Sequence, residues 1–277
     1  MYQVDVNNLA LKALVDKMAS SLSAASIRDY SNIVKAVVAS ALDENGEEKI
    51  PRKWNEEFID APLAKEQSQP STTCAGMSDI LLYARDRYRV LYTLLAGCGP
   101  LRAGEALGLE IGKHISGDFR TLYIRQKAKR GKIQARLKTD AGKRDVDLCT
   151  SIAAMLKDFV GTRSSGLLFC TSTGKQILQT DALRDSLHPI LDYMAHERGF
   201  NIFRRFRITH LKTSGCPDFL QIFWSGHPQG HVSERYLKLL QKREFRLEWA
   251  GRIGLGFELP GTNLGQLGQL VRFRKVG

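Results

Sequence analysis

From Ser26 to Leu42, apolar side chains fall at Ile27, Tyr30, Ile33, Val34, Val37, Val38 and Ala41. Steps of three and four make the stripe of an amphipathic helix, which the Glu44-Asn45-Gly46 run stops. The same period from about Val6 to Met18 predicts a preceding helix, so residues 1–63 read as a small helical unit. Residues 64–76 are polar, carry Pro70 and lose the period, as a linker does. Beyond them, residues 77–110 read as two helices broken at Gly97-Cys98-Gly99-Pro100. Short alternating runs at 121–125, 133–139 and 144–148, separated by Lys129-Arg130-Gly131-Lys132 and by residues 139–143, predict a three-stranded antiparallel meander. Helical spacing returns at 151–160, at 180–199, around Arg207 and over 224–240, and the tail from Glu248 is glycine-rich and weakly patterned. The whole predicts a mainly α chain with a small antiparallel β-sheet (α+β), without a fixed-period repeat.

Charge narrows the partners. The chain of 277 residues carries a formal charge of +12, which favours a polyanion, and nucleic acid first among polyanions. Between Phe119 and Arg144 the basic residues 120, 125, 127, 129, 130, 132, 136, 138, 143 and 144 face one acid, Asp140. Such a density of one sign repels itself unless phosphates neutralise it, so Arg125, Lys127, Lys129, Arg130, Lys132, Arg136, Lys143 and Arg144 are read as DNA contacts. No apolar run reaches the ~18 residues of a membrane span, and the amino terminus has no signal-peptide layout, which predicts a soluble, cytoplasmic protein without a membrane partner. Cys74, Cys98, Cys149, Cys170 and Cys216 are scattered, without a C-x-x-C pair or a histidine at metal spacing. The Ser172-Thr173-Gly174-Lys175 run lacks the first glycine of a phosphate loop. Neither a metal nor ATP nor another cofactor is expected.

Groups able to manage a phosphodiester without a metal are nevertheless present. Two guanidiniums make the natural clamp, because each planar fork donates two parallel hydrogen bonds and stays charged. Arg102 follows the glycine-marked break, and Arg207 stands in the run Arg204-Arg205-Phe206-Arg207-Ile208-Thr209-His210. A lysine of the basic sheet, such as Lys138, can protonate a leaving oxygen, a histidine can hydrogen-bond a phosphate, and a tyrosine hydroxyl can attack phosphorus. Both last types occur in Trp224-Ser225-Gly226-His227 and the following stretch to Tyr236.

In this order the residues resemble a tyrosine recombinase of the phage integrase type. "GPLRAGEALGLE" matches the family's first box and supplies Arg102, with Glu105 and Leu107 at the expected offsets. "LKTDAGKRDVDL" matches the hairpin lysine before R-x-V/I-P-L and supplies Lys138, with Lys129, Lys132 and Lys143 close by in the same sheet. "RRFRITH" matches the second box, H-x-x-R-H-T-H, and supplies Arg207, with Thr209 and His210 aligned. "WSGH" matches L-G-H and supplies His227, and Tyr236 stands at the nucleophile's place nine residues on. His231 and His210 fit structural or supporting places better. Arg204 stands where the second box usually opens on histidine; it cannot act as a base near neutral pH, but it can still hydrogen-bond a phosphate. Trp224 in place of an aliphatic reads as a packing variation. Glu105 either pairs with Arg102 or lies on the helix surface.

The resemblance implies a tyrosine-recombinase catalytic core over 77–245, behind a core-binding, SAM-like helical domain that is short for a complete one. It leaves 246–277 as a tail able to pack in trans. It implies double-stranded DNA as substrate, a homo-tetramer on DNA with a monomer or weak oligomer off it, and a bacterial or phage-derived, nucleoid-associated protein. Tyr236 would attack the scissile phosphorus to form a 3′-phosphotyrosyl link, with Lys138 protonating the 5′ oxygen and Arg102, Arg207, His227 and Arg204 holding the phosphate. Alternatives are an integrase homologue that binds DNA with reduced or no cleavage and, behind it, a type IB topoisomerase.

Overall fold

The structure, a computed structural model, describes residues 5–63, 71–135, 137, 140–196, 199–227 and 238–260. The chain divides into two compact units, Met1–Gln69 and Pro70–Gly277.

In the first unit, α1 (Asn8–Ala19) and α2 (Ala24–Ala39) start on side-chain caps. Asn7 accepts from Ala10 N–H at 3.0 Å and Ser23 from Ser26 N–H at 3.3 Å, each satisfying a donor the first turn leaves free. Helix α2 ends at Ala39, ahead of the predicted stop. A short α3 (Glu56–Ile59) folds back, tied to α2 by Lys35 and Glu56 at 2.6 Å. Leu11, Val15, Ile27 and Ile59 form a small core, while Tyr30, Ile33 and Val37 of the predicted stripe stay exposed.

The second unit is built around α5 (Asp86–Gly97), whose residues from Val90 to Gly97 are all buried. Full burial of each of Leu91, Leu94 and Leu95 is worth about 1.5–3 kcal/mol. Helices α4 (Cys74–Tyr83), α7 (Thr150–Val160) and α10 (Asn201–Thr213) pack on α5. The linker read over 64–76 therefore gives way to helix at Cys74, where Thr73 caps Gly76 N–H at 3.0 Å. The stretch read as one helix before Gly97 is two, because Ala84 turns extended; Arg89 donates Nε to Leu81 O and Nη2 to Ala84 O, both at 2.9 Å, and so covers the carbonyls freed at the end of α4. A short α6 (Ala103–Leu107) follows. A helical segment from Gln179 to Tyr193 comprises α8 (Gln179–Ala182), a wider turn and α9 (His188–Tyr193). Helices α11 (Asp218–Ser225) and α12 (Arg243–Ile253) close a second cluster around Leu211, Leu220, Trp224 and Ala250.

The predicted meander is replaced by separate antiparallel pairs. After β1 (Glu110–Ile111), strand β2 (Thr121–Ile124) pairs directly with β5 (Arg144–Asp147), Thr121 opposite Asp147 and Ile124 opposite Arg144. Between them β3 (Lys127–Lys129) and β4 (Lys132–Gln134) make their own hairpin, and β6 (Gly166–Leu167) returns to β1. Arg130 and Gly131 both have positive φ, 50° and 74°, the geometry of a two-residue hairpin loop. That loop draws Lys127–Lys129 into a strand which alternation alone had left unmarked. The tail read from 246 is helical to Ile253, and Leu255, Phe257 and Leu259 then pack on the main core. Residues 261–277, which the reading in trans needs, lie outside the described residues.

Strand β3 seats against α6 because two glycines of the first box let backbone approach backbone. A Cβ at Gly104 would stand 2.8 Å from Ala128 O, and one at Gly108 would stand 3.0 Å from Ala128 N. Gly104→Ala is expected to lower stability by about 1–3 kcal/mol, the cost of overpacking a tight contact. Gly117→Ala, where a Cβ meets nothing within 4 Å, is the control. Thermal unfolding of the two variants checks this.

Candidate active site

Arg102 caps the start of α6. Its backbone N–H donates to Glu105 Oε2 at 3.0 Å and its Nη1 to Glu105 Oε1 at 3.0 Å. Glu105 is buried, and its Oε2 also accepts from Arg144 Nη2 at 2.9 Å. It is thus an ion-pairing residue and not a surface one. The Arg102 side chain keeps 43% of its surface in solvent, while that of Arg144 keeps 1%. Burial by itself would raise the Glu105 pKa, but Arg144, joined by Arg102, overrides it and holds the carboxyl below its ordinary value.

On α10, Arg204 reaches the same place. Its guanidinium donates to Pro100 O, to Ser225 O at 3.1 Å and, through Nη2, to His227 Nε2 at 3.1 Å. Burial, with the neighbouring Arg102 charge second, lowers its pKa to about 10, so it stays charged at neutral pH. An arginine only donates, which makes His227 Nε2 the acceptor and leaves the imidazole proton on Nδ1. Partial burial lowers the His227 pKa, and the charges of Arg204, Arg102 and Arg144 push the same way. Gly226 ends α11 at φ 65°, in left-handed backbone, and a Cβ there would stand 2.8 Å from Arg144 Nη1. The glycine of "WSGH" therefore permits both the turn that presents His227 and the approach of Arg144.

Arg207, one helical turn beyond Arg204, goes elsewhere. It is 2% exposed; its Nε donates to Cys98 O at 2.6 Å and its Nη1 to Gly254 O at 2.8 Å. Burial lowers its pKa to about 10. Its geometry is that of a strut between the segment leading to Arg102 and the end of α12. His210, read as supporting, stacks on Phe206, with Nε2 3.2 Å from Ile253 O.

The structure thus brings together Arg102, Arg204 and His227, with Glu105 and Arg144 beneath them, and leaves Arg207 apart. Lys138, Arg136, His231 and Tyr236 lie outside the described residues. A signal in the sequence could have found this arrangement. Asn201-Ile202-Phe203-Arg204-Arg205 fits H-x-x-R-H three residues earlier than the register that selects Arg207, with buried Phe203 inside it and exposed Asn201 at the opening histidine's place. Among the basic residues of the sheet, Lys129, Arg130, Lys132 and Lys143 are exposed and Lys127 is half-buried. Two are not free surface charges. Arg144 is buried against Glu105, and Arg125 donates to Asp145 Oδ1 and to Arg144 O, both at 2.7 Å. The pairing with Glu105 corrects the reading of Arg144 as a phosphate contact, because its side chain is buried against that acid; Arg125 pairs with Asp145 yet keeps 41% of its side chain in solvent. Among the described residues, no cluster of three or more His, Cys, Asp or Glu is placed to hold a metal ion, and no helix is long and apolar enough to cross a membrane.

This arrangement of helices and small antiparallel sheets is the tyrosine-recombinase fold. Among solved structures, the chain is similar to the Tn1549 transposon integrase in complex with transposon right end DNA, at 16% identity and a TM-score of 0.67 over 86% of this chain and 85% of that one. It is also similar to the XerH site-specific recombinase bound to palindromic difH substrate, at 17% identity and a TM-score of 0.56 over 87% of this chain and 71% of that one. No family model and no curated protein matches the sequence.

Two titrations follow from the site. Glu105, depressed in the folded state, contributes stability that is present above the ordinary carboxylate pKa of about 4.3 and lost as pH falls through the lower folded value. Glu105→Gln should therefore lower stability at neutral pH by roughly 3–5 kcal/mol, since it strips a buried guanidinium of its counter-charge, and should flatten the acid limb of stability against pH. His227 should titrate below the ordinary histidine value of about 6.5 in an NMR titration of the free protein, and higher once a phosphate anion offsets the three arginines.

Proposed function

We propose that the chain is a site-specific DNA recombinase or integrase that breaks and rejoins strands through a 3′-phosphotyrosyl intermediate at Tyr236. The observation that carries this reading is the charge imbalance of the site: Arg102 and Arg144 pair with a single carboxylate, Glu105, while Arg204 adds a third guanidinium beside them, against the exposed His227. Such a cluster is short of negative charge, and an anion with oxygens to share satisfies it. The exposed lysines and arginine of the hairpin supply further phosphate contacts along a duplex.

In this mechanism Arg102 and Arg204 hold the non-bridging oxygens, and Arg204 takes the place in the clamp that the sequence reading assigned to Arg207. The hydroxyl oxygen of Tyr236 attacks phosphorus in line. As the phosphate draws the Arg204 fork onto its oxygens, His227 Nε2 is released from the hydrogen bond it accepts from Arg204 and takes the tyrosine's proton; the 5′ oxygen leaves with a proton from Lys138, and the guanidiniums meet the charge developing on the phosphate. The phosphodiester energy stays in the tyrosyl link, and a 5′ hydroxyl of a partner duplex reverses the step to complete exchange. Asn201, at the opening position of the second box, has no group that titrates near neutral pH, so the proton transfer rests on His227. Double-stranded DNA is the partner, and assembly on two sites as a homo-tetramer accompanies the chemistry.

A suicide duplex that traps the covalent link tests this. The wild-type chain should form the adduct without metal or nucleotide, Tyr236→Phe should form none while keeping its DNA affinity, and an adduct surviving in Tyr236→Phe would remove this tyrosine from the mechanism. Arg204→Lys should slow the adduct by roughly 10²–10³-fold. Arg207→Lys should chiefly lower the melting temperature, since its guanidinium serves backbone carbonyls. Binding without any adduct would leave the non-cleaving homologue as the answer.

A further inference from the structure

The chain on both sides of residues 228–237 is tied to one buried carboxylate. Upstream, the buried Trp224 of α11, three residues before His227, donates its indole N–H to Asp147 Oδ2 at 3.0 Å. Downstream, Arg246 of α12, fully buried, donates Nε to the same oxygen at 2.7 Å. Its Nη1 turns the other way, to Leu240 O at 3.0 Å and to Leu239 O, the backbone just beyond Tyr236. The Arg246 guanidinium also lies over the Phe223 ring of α11, 5.4 Å from its centroid, and Thr121 donates to Asp147 Oδ1 at 3.1 Å.

Asp147 stands at one end of β5, and Arg144 at the other end of this four-residue strand donates Nε to Trp224 O at 2.6 Å. The same Arg144 pairs with Glu105, which orients Arg102. One short strand thus fixes the floor of the arginine cluster and, through Trp224 and Arg246, both ends of the chain that carries Tyr236. Pattern and residue part company here: the R-x-V/I-P-L motif has proline where this chain has Asp147, and proline could accept none of these side-chain bonds.

We propose that Asp147, acting through Trp224 and Arg246, is a positioning residue that sets where Tyr236 meets the scissile phosphate. This rests on Tyr236 being the nucleophile. Anchoring both ends removes much of the closure entropy that bringing the tyrosine to the site would otherwise cost. A nucleophile displaced by about 1 Å loses about 10²-fold in rate, so loosening either anchor acts on chemistry more than on binding.

Asp147→Asn would strand a buried arginine and endanger folding, so the test uses milder variants of the full chain. Trp224→Phe keeps the buried ring and removes its N–H; Arg246→Lys keeps the charge and removes the fork. Two readouts are taken: hydrogen exchange of peptides covering 226–241 against those of α5, and single-turnover adduct formation at saturating suicide duplex beside DNA affinity. In both variants, exchange over 226–241 should rise several-fold with α5 unchanged, and adduct formation should slow by roughly 10–100-fold with affinity held within about threefold. Unchanged exchange over 226–241, or a rise shared equally by α5, overturns the proposal, as does a wild-type adduct rate in both variants. A wild-type chain that forms no adduct defeats the Tyr236 reading instead, and exchange still decides whether the anchors exist.

Discussion

Glu105 lies buried between Arg102 and Arg144, and the cationic site is assembled against it. Two like charges 4 Å apart repel by about 4 kcal/mol at an effective dielectric near 20. Arginines gathered this closely need a carboxylate in a fixed place to stay together. Glu105 fills that place because it sits in the first turn of α6, where one of its oxygens also accepts the Arg102 backbone N–H, so the helix cap and the ion pair are a single device. The carboxylate neutralises only part of the charge, and the remainder faces the side where His227 stands.

The sheet pairs serve the site more than they build the core. Strand β5 is buried along its whole length and carries Arg144, Asp145 and Asp147, and its charged side chains find partners on α6, α11 and α12. Hydrogen-bonded ion pairs of this kind specify geometry better than they add stability, because desolvation takes back much of the Coulomb gain. The β3–β4 hairpin has the opposite character. It meets α6 through two glycines and turns its lysines to solvent, so one basic stretch of sequence yields both an internal framework and an exposed cationic surface.

Much of the molecule was legible beforehand. Three- and four-residue periodicity marked α1, α2, α7 and α10, because a buried stripe on a helix must repeat that way. Arg102 was legible from the glycine-proline break before it. The choice between Arg204 and Arg207 was not, since the two arginines stand three residues apart on one helix and the second-box pattern fits either register. Which of them meets Arg102 depends on how α10 is rotated against α5, and that rotation is set by Phe203 and Phe206 packing in the core.

The sequence by itself determined the class of fold, the basic character of the chain and the order of its arginine, histidine and tyrosine motifs, because periodicity, charge and local motifs are written over short spans. Tertiary structure decided which arginines gather around Glu105 and His227 and which brace backbone carbonyls. It turned Arg144 inward to Glu105 and paired Arg125 with Asp145, carboxylates that neighbour them only after folding, placed Arg204 beside His227, and made Trp224 and Arg246 share Asp147. Each of these depends on partners about twenty to a hundred residues away in sequence, and which donor reaches which acceptor over such a span is fixed by packing, which no local pattern encodes.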